Sequence, residues 1–284
     1  MTSIPLRQLN PKGQEPDLAE SFSIRELGEL MDGNDMLQGL HRHDHYFILA
    51  LERGKGLHEI DFVPYKVVDH VVYFMRPGQV HQLRLKAGCK GYLLQFKADF
   101  FFHKNKNSGQ HLRRVGNKNF YKADEEKFKM LQAQLTSVYK EYRERQEGYR
   151  EVIKANLAIF FIELFRLSST PIKRVKPYVQ ERMDELSALL EKHIHTHKQV
   201  AQYAEMMHLS PYQLNAITKV CLGKSCSVVI NDEIILEAKR QLLAGSCQVN
   251  ELAWQMGYED VSYFIRFFKK HTGYSPEAFR KNFR

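Results

Sequence analysis

Cysteine, tryptophan and proline are scarce in this chain, and long apolar runs are missing. Its 284 residues hold four cysteines, one tryptophan and nine prolines. Cys89, Cys221, Cys226 and Cys247 are too few and too scattered for a disulfide framework, and no CxxC pair points to structural zinc. All four read as reduced thiols in the core or at the surface. No stretch of about 18 apolar residues occurs, so no membrane-spanning helix is expected. The opening MTSIPLRQLNPKGQEPDLAE lacks a basic-then-apolar secretory pattern, and the expected location is the cytoplasm. Also lacking are a glycine-rich phosphate loop, a local Ser/His/Asp or Cys/His constellation and an aromatic strand motif of the RNA-stacking kind. Nucleotide hydrolysis, covalent nucleophilic catalysis and strand-based RNA recognition therefore find no support.

Core-forming residues and positive charge are present instead. Hydrophobic residues make up 43% and charged residues 26%, which excludes wholesale disorder, and the length suits two domains. The net charge of +9 attracts polyanions, nucleic acid above all. The excess is spread along the chain: residues 1–170 carry 26 Lys and Arg against 21 Asp and Glu, and residues 171–284 carry 16 against 12. Charge alone does not say which part meets the polyanion.

The sequence texture divides the chain. Between residues 40 and 100, YFILALERGKGLHEIDF, VVDHVVYFMRPGQVHQLRL and GYLLQFKADFF read as short strands with breaks at Gly54, Gly56 and Pro77-Gly78, which suggests a small barrel or sandwich. From Asp124 the period becomes helical. Phe128, Leu131, Leu135, Val138 and Tyr142 form a stripe on one face of a first helix. A second helix, Tyr149 to Leu167, is apolar enough to be largely buried. The pair either packs on the barrel or forms a homodimer seam through residues 124–167. SSTPIKRVKPY, residues 168–178, reads as a linker, and everything after it as six or seven short helices. The expected fold class is α+β multidomain: a β-barrel in residues 1–123, a helical hairpin in 124–170 and an all-α domain in 171–284.

Two segments of the last part share one design. Val200–Met207 is followed by the turn His208-Leu209-Ser210 and a helix from Pro211 to Val220, with Ser210 as N-cap and Pro211 at the first helical position. Val249–Met256 ends at Gly257 and leads to a helix from Val261 to His271. Ala204 and Ala253, 49 residues apart, each precede the turn position by four residues and permit a close crossing. Leu214 and Phe264 plug the two corners. A joining helix, Ser227 to Leu243, would hold both second helices for successive major grooves about 34 Å apart.

EIILEAKRQLL and VNELAWQMGYEDVSYFIRFFKKHTGYSPEAFRK resemble the signature of the AraC-type (AraC/XylS) transcription regulators over roughly the last 100 residues. Glu233 stands where that family usually has arginine, His208 where it has glycine, and Thr218 where an aromatic is commoner. On the second helices, the expected DNA contacts are Tyr212, Gln213, Asn215, Ala216 and Lys219 in the first unit and Asp260, Val261, Ser262, Arg266, Lys269 and Lys270 in the second. Asn and Gln suit adenine, Arg266 suits guanine, and Lys269 and Lys270 suit phosphate. The helix starts at Ser210 and Asp260 offer backbone N–H groups to phosphate. Tyr263, Phe264, Phe267 and Phe268 fall at core spacing.

In the first part, HRHDHYFILA alternates His41, His43 and His45, which one strand would place on one face, and His81 follows in RPGQVHQL. An HxH strand with a distant PG-xx-H hairpin resembles the two motifs of a cupin barrel, and such a barrel ahead of the helical pair resembles the sensor half of AraC-type regulators. A metal-binding cupin adds a glutamate after HxH with three or four residues intervening. Counting from His43 gives Phe47 or Ile48, and from His45 Leu49 or Ala50, so neither a metal nor another cofactor is expected. A lining for a small ligand, built by His41, His43, Tyr46, Tyr73, Arg76, His81 and Gln95, stands beside a purely structural role for the histidines. Lys97, Lys104, Lys106, Arg113, Arg114 and Lys118 read as a solvated basic loop.

Two functional readings follow. The favoured one is a sequence-specific double-stranded-DNA-binding regulator, not an enzyme, that responds to a small molecule. The resemblance implies an activator that engages RNA polymerase. The other is a cupin metalloenzyme, an oxygenase or isomerase, with a helical appendage.

Overall fold

The computed structural model describes residues 4–9, 21–101, 112, 114–168, 176–245 and 247–283. The chain forms two compact units, Pro5–Thr170 and a second made of Pro171–Arg284 with Met1–Ile4.

The first unit contains strands β1 (Leu6–Arg7), β2 (Phe22–Glu26), β3 (Met36–His43), β4 (Tyr46–Arg53), β5 (Gly56–Ile60), β6 (Val63–Val67), β7 (Val71–Met75), β8 (Val80–Leu85), β9 (Lys90–Phe96) and β10 (Phe120–Lys122). They make two five-stranded sheets, ordered β1-β3-β8-β5-β6 and β10-β7-β4-β9-β2. All pairings are antiparallel except β1 with β3. Strand parity sorts the side chains. Phe47, Leu49 and Leu51 of β4 and Val71, Tyr73 and Met75 of β7 face the opposite sheet and share a core with Ile60, Val67, Leu83 and Leu85. Their alternates, among them Ile48, Ala50, Val72, Phe74 and Phe96, face outward. Pro64 is tolerated because β6 lies at a sheet edge, where a missing N–H breaks no ladder bond. At Gly56 a β-carbon would stand 1.9 Å from the Arg84 carbonyl oxygen, so only glycine fits the close approach of β5 to β8.

That outward face is covered by α3 (Glu125–Glu144) and α4 (Tyr149–Ser168). The Asp124 carboxylate caps α3 by accepting the Lys127 N–H at 2.8 Å. Phe128, Leu131, Leu135 and Val138 are buried against the sheet and against Ile153, Leu157, Phe160 and Leu164 of α4. The apolar stripe is thus used inside the unit. Two short helices, α1 (Leu27–Met31) and α2 (Ala98–Phe101), complete the described elements. The last of these corrects the expectation of a strand through ADFF: Phe100 and Phe101 are both buried in the outer core, which a helical turn permits and alternation forbids. Lys104, Lys106, Arg113 and most of the expected linker lie outside the described residues.

The second unit has seven helices among its described residues: α5 (Pro177–His193), α6 (Val200–Met206), α7 (Pro211–Leu222), α8 (Cys226–Ala244), α9 (Val249–Gln255), α10 (Val261–Thr272) and α11 (Pro276–Phe283). The pairs α6–α7 and α9–α10 repeat one corner. Ala204 and Ala253 are buried, and their carbonyls accept the Leu209 and Tyr258 N–H groups at 2.8 Å in both turns. The turn residues His208 and Gly257 are both left-handed, with φ of 53° and 73°. The second turn is one residue longer: the cap Ser210 lies two residues after His208, whereas Asp260 lies three after Gly257. α8 packs on both corners. Its 19 residues span about 28 Å at the helical rise. From α11, the Arg280 guanidinium donates to the Leu242 and Cys247 carbonyls at 3.1 and 2.7 Å, closing the end of α8.

Candidate functional site

On α10, Phe264 and Phe268 are buried while Ser262, Arg266, Lys269 and Lys270 are exposed, so one helix face is core and the other solvent. α7 repeats the arrangement with Leu214 and Thr218 inside and Tyr212, Ala216 and Lys219 outside. The exposed faces differ in charge. α7 offers one cation, Lys219, beside Tyr212 and Ala216; α10 offers Arg266, Lys269 and Lys270.

Several expected DNA contacts already have other work. The Asn215 side chain accepts the Cys226 N–H at 3.1 Å at the start of α8, and so joins α7 to the connecting helix. Gln213 reaches back to the Ser210 N–H at 2.8 Å and closes a capping box. The Asp260 carboxylate accepts the Tyr263 N–H at 3.0 Å and faces Arg266 at 3.8 Å. An acidic cap thus stands at the positive end of α10 and occupies the Tyr263 N–H. Val261 is half-buried. Tyr263, expected in the core, is 52% exposed and leans on Tyr258 and Phe267.

Sequence reasoning passed over a further element. The segment between α5 and α6 docks on the second corner. Lys198 Nζ donates to the His195 carbonyl at 3.0 Å and stands 4.9 Å from the centre of the Tyr258 ring, while His195 Nδ1 donates to the Gln255 carbonyl at 3.2 Å. Burial holds the Lys198 ammonium below its ordinary pKa and raises that of the Tyr258 phenol. A β-carbon at Gly257 would lie 2.0 Å from the His195 carbonyl oxygen. This position therefore needs glycine for contact as well as for conformation, whereas exposed His208 meets only the conformational demand.

In the first unit, a bulge in β3 sets the direction of the histidines. Gln38 pairs with Leu83 but His41 with His81, so three residues oppose two. Parity changes there, and His41 and His43 turn inward beside His81 of β8 and His58 of β5. All four rings are buried. His41 Nε2 lies 3.1 Å from His43 Nε2, which lies 2.9 Å from His81 Nε2; His81 Nδ1 lies 2.9 Å from His58 Nε2. The Gly39 carbonyl accepts from His41 Nδ1 at 2.7 Å. The Phe47 ring stacks on His43 at 5.2 Å and meets His81 at 5.0 Å.

Burial keeps these imidazoles neutral: His41 is lowered to about 4, His43 to about 2 and His58 to about 3, with His81 pushed down as well. A neutral ring has one donor and one acceptor. His41 donates through Nδ1, so its Nε2 is a lone pair, and the 3.1 Å contact puts a proton on His43 Nε2. That proton is shared with His81 Nε2, whose ring must donate through Nδ1 to His58. His43 Nδ1 and His58 Nδ1 are then left over, and both are buried without a hydrogen-bond partner. The Arg7 backbone lies beside His43 and favours its protonated form without making a well-formed bond to Nδ1.

The other expected lining residues divide. Tyr73 is inside, donating to the Lys66 carbonyl at 3.2 Å. Gln95 is inside, at 3.0 Å from His45 Nε2, and accepts from Arg25 at 3.1 Å. His45 also meets Asp44 through Nδ1 at 2.8 Å. Tyr46 is corrected: it has the parity of Ile48 and stacks on Phe96 on the helix-covered face, outside the barrel interior. Arg76 continues β7 with the parity of Phe74, and its side chain runs beside Gly116, likewise away from the interior.

Two family models match the chain: an AraC-like ligand binding domain over residues 32–159 and a helix-turn-helix domain over residues 203–282. The MmsAB operon regulatory protein of Pseudomonas aeruginosa is 24% identical over 277 residues, covering 94% of this chain and 85% of that protein. The HTH-type transcriptional activator RhaS of Escherichia coli O81 is 23% identical, covering 85% of this chain and 87% of the relative. The bifunctional transcriptional activator/DNA repair enzyme AdaA of Bacillus subtilis is 27% identical over 135 residues; the match spans 45% of this chain and 64% of AdaA, under two thirds of its length. Among solved structures, ToxT from Vibrio cholerae is 16% identical with a TM-score of 0.44, covering 92% of this chain and 98% of that one. With both family models matched, and with relatives that are transcription regulators along most of its length, the chain belongs to the AraC-type transcription regulators.

Proposed function

We propose that the chain reads a two-part DNA site through α7 and α10, responds to a small ligand within the barrel, and activates transcription without an enzymatic step of its own. The repeated corner carries this reading: two second helices expose the same positions, Tyr212, Ala216 and Lys219 on α7 and Ser262, Arg266 and Lys269 on α10, with α8 between them. The exposed faces divide the labour. Tyr212 and Ala216 suit apolar contact with thymine methyls, while Arg266 suits guanine and Lys269 and Lys270 suit phosphate. Activation is supported by relatives named as activators, RhaS and AdaA, and RNA polymerase is the partner proposed for it. The repair activity in AdaA's name belongs to that protein. No described helix is long and apolar enough to cross a membrane, and the proposed location is the cytoplasm. A homodimer through residues 124–167 would use the solvent-facing side chains Met130, Val152 and Ile159, since the α3 stripe is buried.

Selection of bound duplexes from random DNA tests the reading. The expected product is a bipartite site with half-motifs about one helical turn, ~10 base pairs, apart. Recovery of single short motifs with no fixed spacing would remove the two-headed reading. Native mass measurement reports the dimer, and transcription in vitro from a promoter carrying the selected site reports the sign of regulation.

A further inference from the structure

We propose that His41, His43 and His81 hold a transition-metal ion of the zinc, nickel or copper class through their Nε2 atoms. The proposal rests on the ligand-binding reading of the barrel for its purpose, and the binding itself is tested without DNA. The three ligand atoms lie within 4.8 Å of one another, the one such convergence of His, Cys, Asp or Glu side chains found among the described residues. Metal–nitrogen bonds of about 2.0–2.1 Å place neighbouring donor atoms roughly 3 Å apart, close to the 3.1 and 2.9 Å contacts around His43.

The metal-free hydrogen bonding is poor in one specific way. One proton on His43 Nε2 serves two acceptors, while His43 Nδ1 is buried with none. An ion at the three nitrogens removes the conflict. The His43 proton moves from Nε2 to Nδ1, and no proton leaves the site. The other two rings need no change, because His41 already donates to Gly39 and His81 to His58, leaving both Nε2 lone pairs directed at the site. These outer bonds fix ring orientation as the outer partners of metal ligands do.

The donor set selects the ion. Three neutral nitrogens without a carboxylate disfavour magnesium and calcium and suit imidazole-preferring metals. The position where a cupin glutamate would be counted is Phe47, whose ring lies against His43 and His81. The remaining coordination positions are therefore left to water or an incoming anion.

Titration of the chelator-stripped full chain with zinc, followed by elemental analysis, should give one equivalent bound. His43→Gln and His81→Gln should each weaken binding by about 100-fold or more, and His58→Phe, through the orientation of His81, by about 10- to 100-fold. His193→Gln with His197→Gln, a pair of rings 5.3 Å apart within the other unit, should change nothing. Buried substitutions can damage the fold, so X-ray absorption on the wild-type zinc form gives an independent reading: a shell of three imidazole nitrogens is expected. No binding at micromolar zinc, full binding by both the His43 and His81 variants, or a shell without three imidazoles would overturn the site. Failure of both the metal-free and the zinc-loaded protein to select any preferred duplex would instead count against the function proposed above and leave the metal site standing.

Discussion

The buried histidine rings govern how the metal-free barrel responds to acid. The folded pKa values of His41 and His58, about 4 and about 3, lie below the ordinary histidine value of 6.5. Between those limits the unfolded chain binds more protons than the folded one, so stability is full above about pH 6.5 and falls as the pH drops. Each ring kept neutral contributes a slope of roughly 1.4 kcal/mol per pH unit. Thermal unfolding of the barrel should therefore shift downward between pH 7.5 and 5; an unchanged midpoint would show that the rings are not held neutral. On the DNA side, Arg266→Ala should relax preference at one base position at a cost of about 1–3 kcal/mol, while Lys270→Ala should weaken all sequences alike and flatten the salt dependence. Binding to selected and scrambled duplexes across salt separates the two. At this scale the sequence showed which histidines exist and that they alternate. Their inward direction depends on the β3 bulge, which no local pattern announces. The structural role of Asn215 was hidden for the same reason: its partner, the Cys226 N–H, comes from the next helix.

At the scale of elements, the two corners provide an internal control. His208 and Gly257 share a left-handed backbone, but His208 is open to solvent and Gly257 faces the His195 carbonyl. His208→Gly should stabilise the helical unit by about 0.5–1 kcal/mol by relieving the strain of a side chain in that conformation. Gly257→Ala should destabilise it by more than about 2 kcal/mol, because backbone must move as well. Denaturant titration of both variants tests the contrast, and equal effects would refute it. Helix periodicity was a reliable guide here: the α3 stripe, its Asp124 cap and the α7 and α10 starts are all local features. Periodicity could not say whether the α3 stripe faces its own sheet or a second copy. Apolar surface is non-directional, and the buried partners Ile48, Phe74 and Leu94 come from strands 30 or more residues away. ADFF misled because so short a segment, with two adjacent phenylalanines, suits either period.

For the whole molecule, residues 171–284 are expected to fold alone and bind DNA. The compact second unit, with its α8 core and the Arg280 closure, supports this. Circular dichroism and duplex binding of that fragment provide the check, and an unfolded fragment would refute it. The doubled corner was legible because it repeats within one sequence. The docking of His195 and Lys198 on Tyr258 was not, since it joins residues about 60 apart through one cation, one ring and two carbonyls.

That docking has a genomic consequence. Two reading heads tied together at Gly257 and Tyr258, as well as through α8, behave as a ruler of fixed gauge. Each inserted base pair between the half-motifs adds about 3.4 Å and turns the second half-motif by roughly 35°. Promoters under this regulator should then tolerate drifting letters more readily than a changed gap, and their spacers should be the better preserved feature.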